Sequence, residues 1–93
     1  MGKYSIKLAY EAEKDLKLIY KSGDKASINK LEQIFAELQE NPYEGVGKPK
    51  PLKHRYVGFW SRRINRKDRI VYQVKEEEVS VLVVSARDHY DDK

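Results

Sequence analysis

Residues 56–74 read YVGFWSRRINRKDRIVYQV, and this stretch decides the fold. Residues 56–64 and 69–74 are rich in aromatic and β-branched side chains, and Asn65-Arg66-Lys67-Asp68 between them are turn formers. That pattern predicts two strands joined by a tight turn, and so an antiparallel pair. Along the first strand Trp60, Arg62 and Ile64 alternate with Phe59, Ser61 and Arg63, so the two sets belong to opposite faces of a sheet. An Arg in such a strand is costly unless it meets water or an anion. Trp60 and Tyr72 are expected to be core residues, and Arg62 and Arg66 to act as solubilising surface residues.

Working outward, residues 75–78 (KEEE) turn the chain into a third strand over 79–86. On the other side, residues 43–55 hold Gly45, Gly47, Pro49 and Pro51 without periodicity and read as an ordered loop. Upstream of Asn41-Pro42 the period changes. Ile28, Leu31, Phe35 and Leu38 recur at three and four residues, which predicts a helix over 25–40. Ala9, Ala12, Leu16, Ile19 and Tyr20 define a helix face over 9–21. Ser22-Gly23-Asp24 separates the two helices, with Gly suited to a left-handed helix end and Asp to a cap. Residues 4–8 (YSIKL) alternate and give a first strand. The order is β-α-α-β-β-β. The fold expected is α+β: a single domain over residues 1–93, with a twisted antiparallel sheet covered on one face by a helical hairpin and open on the other.

Composition narrows the chemistry. Cysteine is absent and only His54 and His89 are present, so neither a disulfide framework nor a thiolate or His-rich metal site is expected, and no cofactor is called for. No apolar run reaches membrane-spanning length, so a soluble cytoplasmic protein without a membrane partner is the expectation. Of the net charge of +4, the segment from Lys48 to Arg69 holds nine Lys/Arg against one Asp. Such a block is the footprint of a polyanion site. A solvated basic face would carry the same charge count.

A patch of Arg, Lys, His and Tyr without a carboxylate cluster suits one reaction in particular. RNA carries its own nucleophile, the 2′-OH, and needs neither a metal nor a covalent intermediate. A base takes the 2′-OH proton, Arg or Lys stabilises charge on phosphorus, and an acid protonates the leaving 5′-oxygen. The products are a 2′,3′-cyclic phosphate and a 5′-OH. Arg63 and Arg69 stand on adjacent strands, and the chain closes with Arg87-Asp88-His89-Tyr90, where His suits the acid and Tyr a stacking or orienting role.

The wording of these segments resembles the YoeB family of toxins within the RelE-like superfamily. The matching text is Pro42-Tyr43-Glu44-Gly45, Gly47-Lys48-Pro49, Pro51-Leu52-Lys53-His54, Gly58-Phe59-Trp60-Ser61-Arg62-Arg63-Ile64, Arg69-Ile70-Val71-Tyr72 and His89-Tyr90. The resemblance implies a ribosome-dependent, metal-independent mRNA endoribonuclease acting in the ribosomal A site. It also implies a YefM-like antitoxin that holds the toxin inactive, binding of operator DNA by the complex, and frequent homodimers. By this resemblance His89 is the general acid, Arg69 the phosphate-stabilising residue and Tyr90 the substrate-positioning aromatic, while Lys53 and Arg63 contact the reacting nucleotides beside Lys48.

The loop departs from the family at one place. Members carry Glu between the two prolines, as the general base, and here Lys50 stands there. A lysine acts as base only in its neutral form, which crowding by Lys48, Lys53, Arg63 and Arg69 favours. Three readings stay open: Lys50 is the base, as in related RelE-type toxins that use lysines; Glu44 substitutes; or the protein is catalytically weakened and acts mainly by binding an antitoxin and operator DNA. A generic basic RNA-binding domain is the further alternative. The tail Asp91-Asp92-Lys93 is a second departure, since members end at the Tyr.

Overall fold

The computed structural model describes residues 3–87. Strand β1 (Ser5–Leu8) leads into helix α1 (Tyr10–Ser22) and helix α2 (Lys25–Glu40); β2 (Lys50–Pro51), β3 (Phe59–Arg63), β4 (Arg69–Lys75) and β5 (Ser80–Ser85) follow. The five strands form one sheet in the order β1-β5-β4-β3-β2. The meander is antiparallel as expected, with Trp60 opposite Tyr72 and Arg63 opposite Arg69. The helices are delimited by the residues that the sequence marks. Gly23 ends α1 in the left-handed region at φ 77°, and the Asp24 carboxylate caps α2 by accepting from the Ser27 amide at 3.3 Å and its hydroxyl at 2.8 Å.

The helices cover the sheet face that carries Ile70, Tyr72, Val81 and Val83, and Ala12, Leu16, Ile19, Leu31, Ile34 and Leu38 close the core against it. Two details of the helical faces differ from expectation. Tyr20 is 43% exposed, whereas Asp15, one turn before Ile19, is buried. A 3.6-residue period carries the inner stripe through 12, 15–16 and 19 and leaves residue 20 at its flank. Asp15 is stable there because it accepts a hydrogen bond at 3.1 Å from the Ala86 amide, which ties α1 to the end of β5.

The sheet differs in three ways. It is mixed, because β1 runs parallel to β5, with Ile6 beside Val81 and Leu8 beside Val83. The proline-rich loop contributes the two-residue strand β2, paired antiparallel to β3 with Lys50 opposite Ser61. Residues 56–58 are not extended: His54–Tyr56 form a 3-10 turn, and β3 begins only at Phe59. The β4–β5 register shifts between Val71 and Tyr72, where Ser85 and Val83 are the partners and Val84 is the extra residue of a bulge.

Candidate active site

The site is built around a buried arginine. Arg62 lies on β3 between Trp60 and the chain turn, and its side chain points into the helix-covered layer with 0% exposure. Its partners explain how a charge survives there. Nη1 meets the Glu37 carboxylate of α2 at 2.7 Å, and Nε donates to the Tyr72 hydroxyl at 3.2 Å. Nη2 donates to the carbonyls of Glu44 at 2.6 Å and Asn41 at 3.3 Å, and Nη1 reaches the Val46 carbonyl at 3.4 Å. The Tyr72 hydroxyl donates in turn to the Pro42 carbonyl at 2.7 Å. Glu37 also accepts from the Val46 amide at 2.9 Å. Burial raises the pKa of that carboxyl, and the Val46 amide and the Arg62 guanidinium more than reverse the effect, leaving it below the usual carboxylate range. The expectation that Arg62 is solubilising is therefore corrected: it meets the anion that a strand arginine requires, and that anion comes from α2. Tyr72 is core, as expected, and Trp60 packs against the core with the Tyr43 ring set edgewise at 5.2 Å.

The network fastens residues 41–46 to the sheet, and the glycines of the loop let it come close. A Cβ at Gly45 would collide with the Glu37 carboxylate and would stand 2.8 Å from the Arg62 guanidinium. A Cβ at Gly47 would stand 2.7 Å from the Arg63 carbonyl. Both glycines have positive φ, and the Gly47 carbonyl accepts from the Arg63 amide at 2.7 Å. The next residue, Lys48, takes φ 52°, an uncommon conformation outside glycine. The loop is thus delivered to β2 in a fixed place, with Lys50 opposite Ser61.

On the sheet face away from the helices this arrangement leaves a small cleft of about 120 Å³, lined by Gly47, Lys48, Lys50, Ser61, Arg63 and Arg69. Four cationic side chains converge there, and among the described residues no carboxylate lines it. Of the expected site residues, the structure brings together Lys48, Lys50, Arg63 and Arg69. Lys53 is exposed at the start of the 3-10 turn and does not line the cleft. Glu44 lines a separate groove with Gln33, Glu37, Glu40 and Asn41, and its carbonyl is taken by Arg62. His89 and Tyr90 lie outside the described residues. Among the described residues no group of His, Asp or Glu is placed to hold a metal ion, and no helix is long and apolar enough to cross a membrane.

Sequence reasoning missed two participants. Ser61 lines the cleft, and alternation alone does place it on the same face as Arg63. The Glu37–Arg62 pair, which holds the loop, had only the paired glycines as a signal that the backbone approaches something closely.

Comparison with known proteins agrees with this architecture. Residues 9–90 match the profile of the YoeB-like toxins of bacterial type II toxin–antitoxin systems. Toxin YoeB of Escherichia coli strain CFT073 is 42% identical over 73 residues, covering 78% of this chain and 84% of that protein. Among solved structures, a YoeB/ParE toxin from Agrobacterium tumefaciens superimposes with a TM-score of 0.81 at 29% identity, covering 92% of this chain and 99% of the other. Staphylococcus aureus YoeB has been solved as a dimer, with TM-score 0.78, 31% identity and 95% and 99% coverage. It has also been solved in a heterotetramer with YefM, with TM-score 0.77, 32% identity and 94% and 98% coverage. With the profile spanning most of its length, the chain belongs to the family of YoeB-like toxins of bacterial type II toxin–antitoxin systems.

Proposed function

We propose that this toxin is a ribosome-dependent endoribonuclease that cuts mRNA in the A site without a metal. The observation that carries the reading is the convergence of Lys48, Lys50, Arg63 and Arg69 on one small cleft that, among the described residues, no carboxylate lines. A phosphodiester bound there meets the cationic donors of Lys48, Arg63 and Arg69. Arg69 and Arg63 stabilise the charge that grows on phosphorus as the 2′-OH attacks. Lys50 is the candidate base for the 2′-OH proton, being the cleft residue on β2. His89 protonates the leaving 5′-oxygen, with Tyr90 positioning the nucleotide and Lys53 reaching flanking phosphates. The ends are a 2′,3′-cyclic phosphate and a 5′-OH. Restraint of the toxin falls to a YefM-like antitoxin, as in the Staphylococcus aureus complex, and the complex binds operator DNA. Self-association follows the Staphylococcus aureus dimer.

Induced expression without an antitoxin tests the reading. Growth should stop within the induction period, Arg69→Ala should relieve the arrest, and co-expression of the antitoxin should prevent it. Unimpaired growth of cells that accumulate folded protein would overturn the proposal.

One feature favours a second reading. Lys50 stands where the resemblance leads one to expect Glu, so the protein would be a weakened enzyme that works mainly through antitoxin and operator binding. Lys50→Glu separates the two: a large gain in cleavage supports the weakened enzyme, and retention or loss of an already substantial rate supports Lys50 as a working base.

A further inference from the structure

The cleft holds an uncharged side chain to which the proposed chemistry assigns nothing. Ser61 lies in the middle of β3, on the same face as Arg63, with Lys50 opposite it on β2 and Val71 opposite it on β4. It is only 3% exposed, yet it lines the cleft with Lys48, Lys50, Arg63 and Arg69. Among the described residues the fully buried side-chain polar atom without a partner is the Ser85 hydroxyl of β5, not that of Ser61, whose side chain opens onto the cleft.

The surroundings decide what the hydroxyl can meet. The Arg63 and Arg69 guanidinium groups and a protonated Lys48 carry donors and no acceptor. The cationic lining selects an anion, and a bound anion brings acceptors to the Ser61 hydroxyl. The cleft is small, about 120 Å³, which suits a compact anionic group.

We propose that Ser61 is a substrate-contacting residue whose hydroxyl donates to a non-bridging oxygen of the scissile phosphate, between the Lys50 and Arg63 side chains. This rests on the endoribonuclease reading. The contact differs in kind from those of its neighbours: a short, neutral donor fixed by the strand sets the rotation of the phosphate, whereas long cationic side chains set its charge. It strengthens as the oxygens gain charge during attack, so its loss should slow the chemical step more than it weakens binding.

The test is single-turnover cleavage of ribosome-bound mRNA by wild type, Ser61→Ala and Ser61→Thr. Each is run on mRNA with a normal scissile linkage and on each phosphorothioate diastereomer. Ser61→Ala should cut at least tenfold more slowly, with ribosome binding within about twofold of wild type and an unchanged melting temperature. Ser61→Thr should recover most of the rate. For one diastereomer sulfur should slow the wild type and leave Ser61→Ala no slower than on the normal linkage. Wild-type rates for Ser61→Ala would overturn the contact alone, as would sulfur effects equal in both proteins for both diastereomers. An inactive wild type would overturn the endoribonuclease reading, and the contact with it.

Discussion

At the scale of single residues, the side chain that matters most for the shape of the site is not one that touches the cleft. Arg62 sits in layers of apolar residues, and its five polar contacts, shared among Glu37, Tyr72 and the carbonyls of Asn41, Glu44 and Val46, hold the loop that carries Lys48 and Lys50. Removing one member of a buried ion pair leaves the other uncompensated, at a cost of about 3–5 kcal/mol. Arg62→Ala should therefore fall in that range in denaturant unfolding, or fail to accumulate as folded protein. Glu37→Ala should cost somewhat less, because Glu37 keeps partial contact with solvent. A loss below about 1 kcal/mol for Arg62→Ala would mean that the network does not hold the loop. Arg69→Ala should behave in the opposite way. Its stability should stay within about 1 kcal/mol, and its cleavage rate should fall by roughly 10²–10⁴. The alternation of β3 made the face of Arg62 legible from sequence. Its role was not, because the partner carboxylate lies 25 residues earlier, on another element. Lys48, Lys50, Arg63 and Arg69 were legible as one basic block because three adjacent strands and one loop collect them. Ser61 drew no notice because a serine in a strand is chemically bland until its neighbours are known.

At the scale of elements, local signals served where the structure is local. The helix breaks at Gly23 and Asn41 and the turn at residues 65–68 follow from capping and turn chemistry that a few adjacent residues carry. The pairing of β1 was not legible, since a strand pattern announces a strand but not its neighbour, and the partner is β5 at the far end of the chain. Pro51 disguised β2, because proline cannot donate to a ladder. Proline is tolerated here because β2 is the edge of the sheet. One element carries visible strain. The 3-10 turn Glu76–Glu78 ends at Val79 with φ 51°, a left-handed conformation that β-branched side chains disfavour. Val79 is partly exposed, and its backbone carbonyl accepts from the Ser5 amide at 3.0 Å, so the conformation holds β1 to the start of β5. Val79→Asn keeps the backbone bonds and relieves the strain. It should stabilise the protein by about 1 kcal/mol, seen as a rise in melting temperature of about 4–8 °C. A fall in melting temperature would show that the valine side chain contributes more by packing than it costs in backbone strain.

At the scale of the whole molecule, charge governs both stability and binding. Asp24, Glu37, Glu76 and Glu78 all have carboxyls held below their ordinary values: Asp24 by Ser27, Glu76 by the hydroxyls of Tyr43 and Tyr4, and Glu78 by Ser80 and Lys7. A depressed carboxyl contributes stability that is present above its unfolded value and is lost as pH falls through the folded one. The melting temperature should therefore drop progressively below about pH 4. The tyrosines act at the other end. Burial and the Glu76 carboxylate push the Tyr43 hydroxyl up to about 12, and Tyr4, Tyr20 and Tyr72 are also raised. A raised group stabilises fully below its unfolded value, so stability should decline above about pH 10 as the unfolded chain loses phenolic protons first. A flat melting profile across either limb would contradict these assignments. Of the basic block, Arg62 is withdrawn into the core, and four cations line the cleft. If those four neutralise phosphates of a single strand, log K for mRNA binding should fall with log salt at a slope of about −3.

The proposal that this toxin is a metal-independent, ribosome-dependent endoribonuclease is tested most directly by the chemistry of the ends it leaves on mRNA. The purified protein is added, with and without programmed ribosomes, to an end-labelled message under conditions that keep the ribosomes intact. The account predicts cleavage only of ribosome-bound mRNA, with a 2′,3′-cyclic phosphate on the upstream fragment and a 5′-OH on the downstream one, and its loss in Arg69→Ala at unchanged melting temperature. No cleavage, or fragments bearing a 5′-phosphate and a 3′-OH, would contradict it, since those ends require water rather than the 2′-OH as nucleophile.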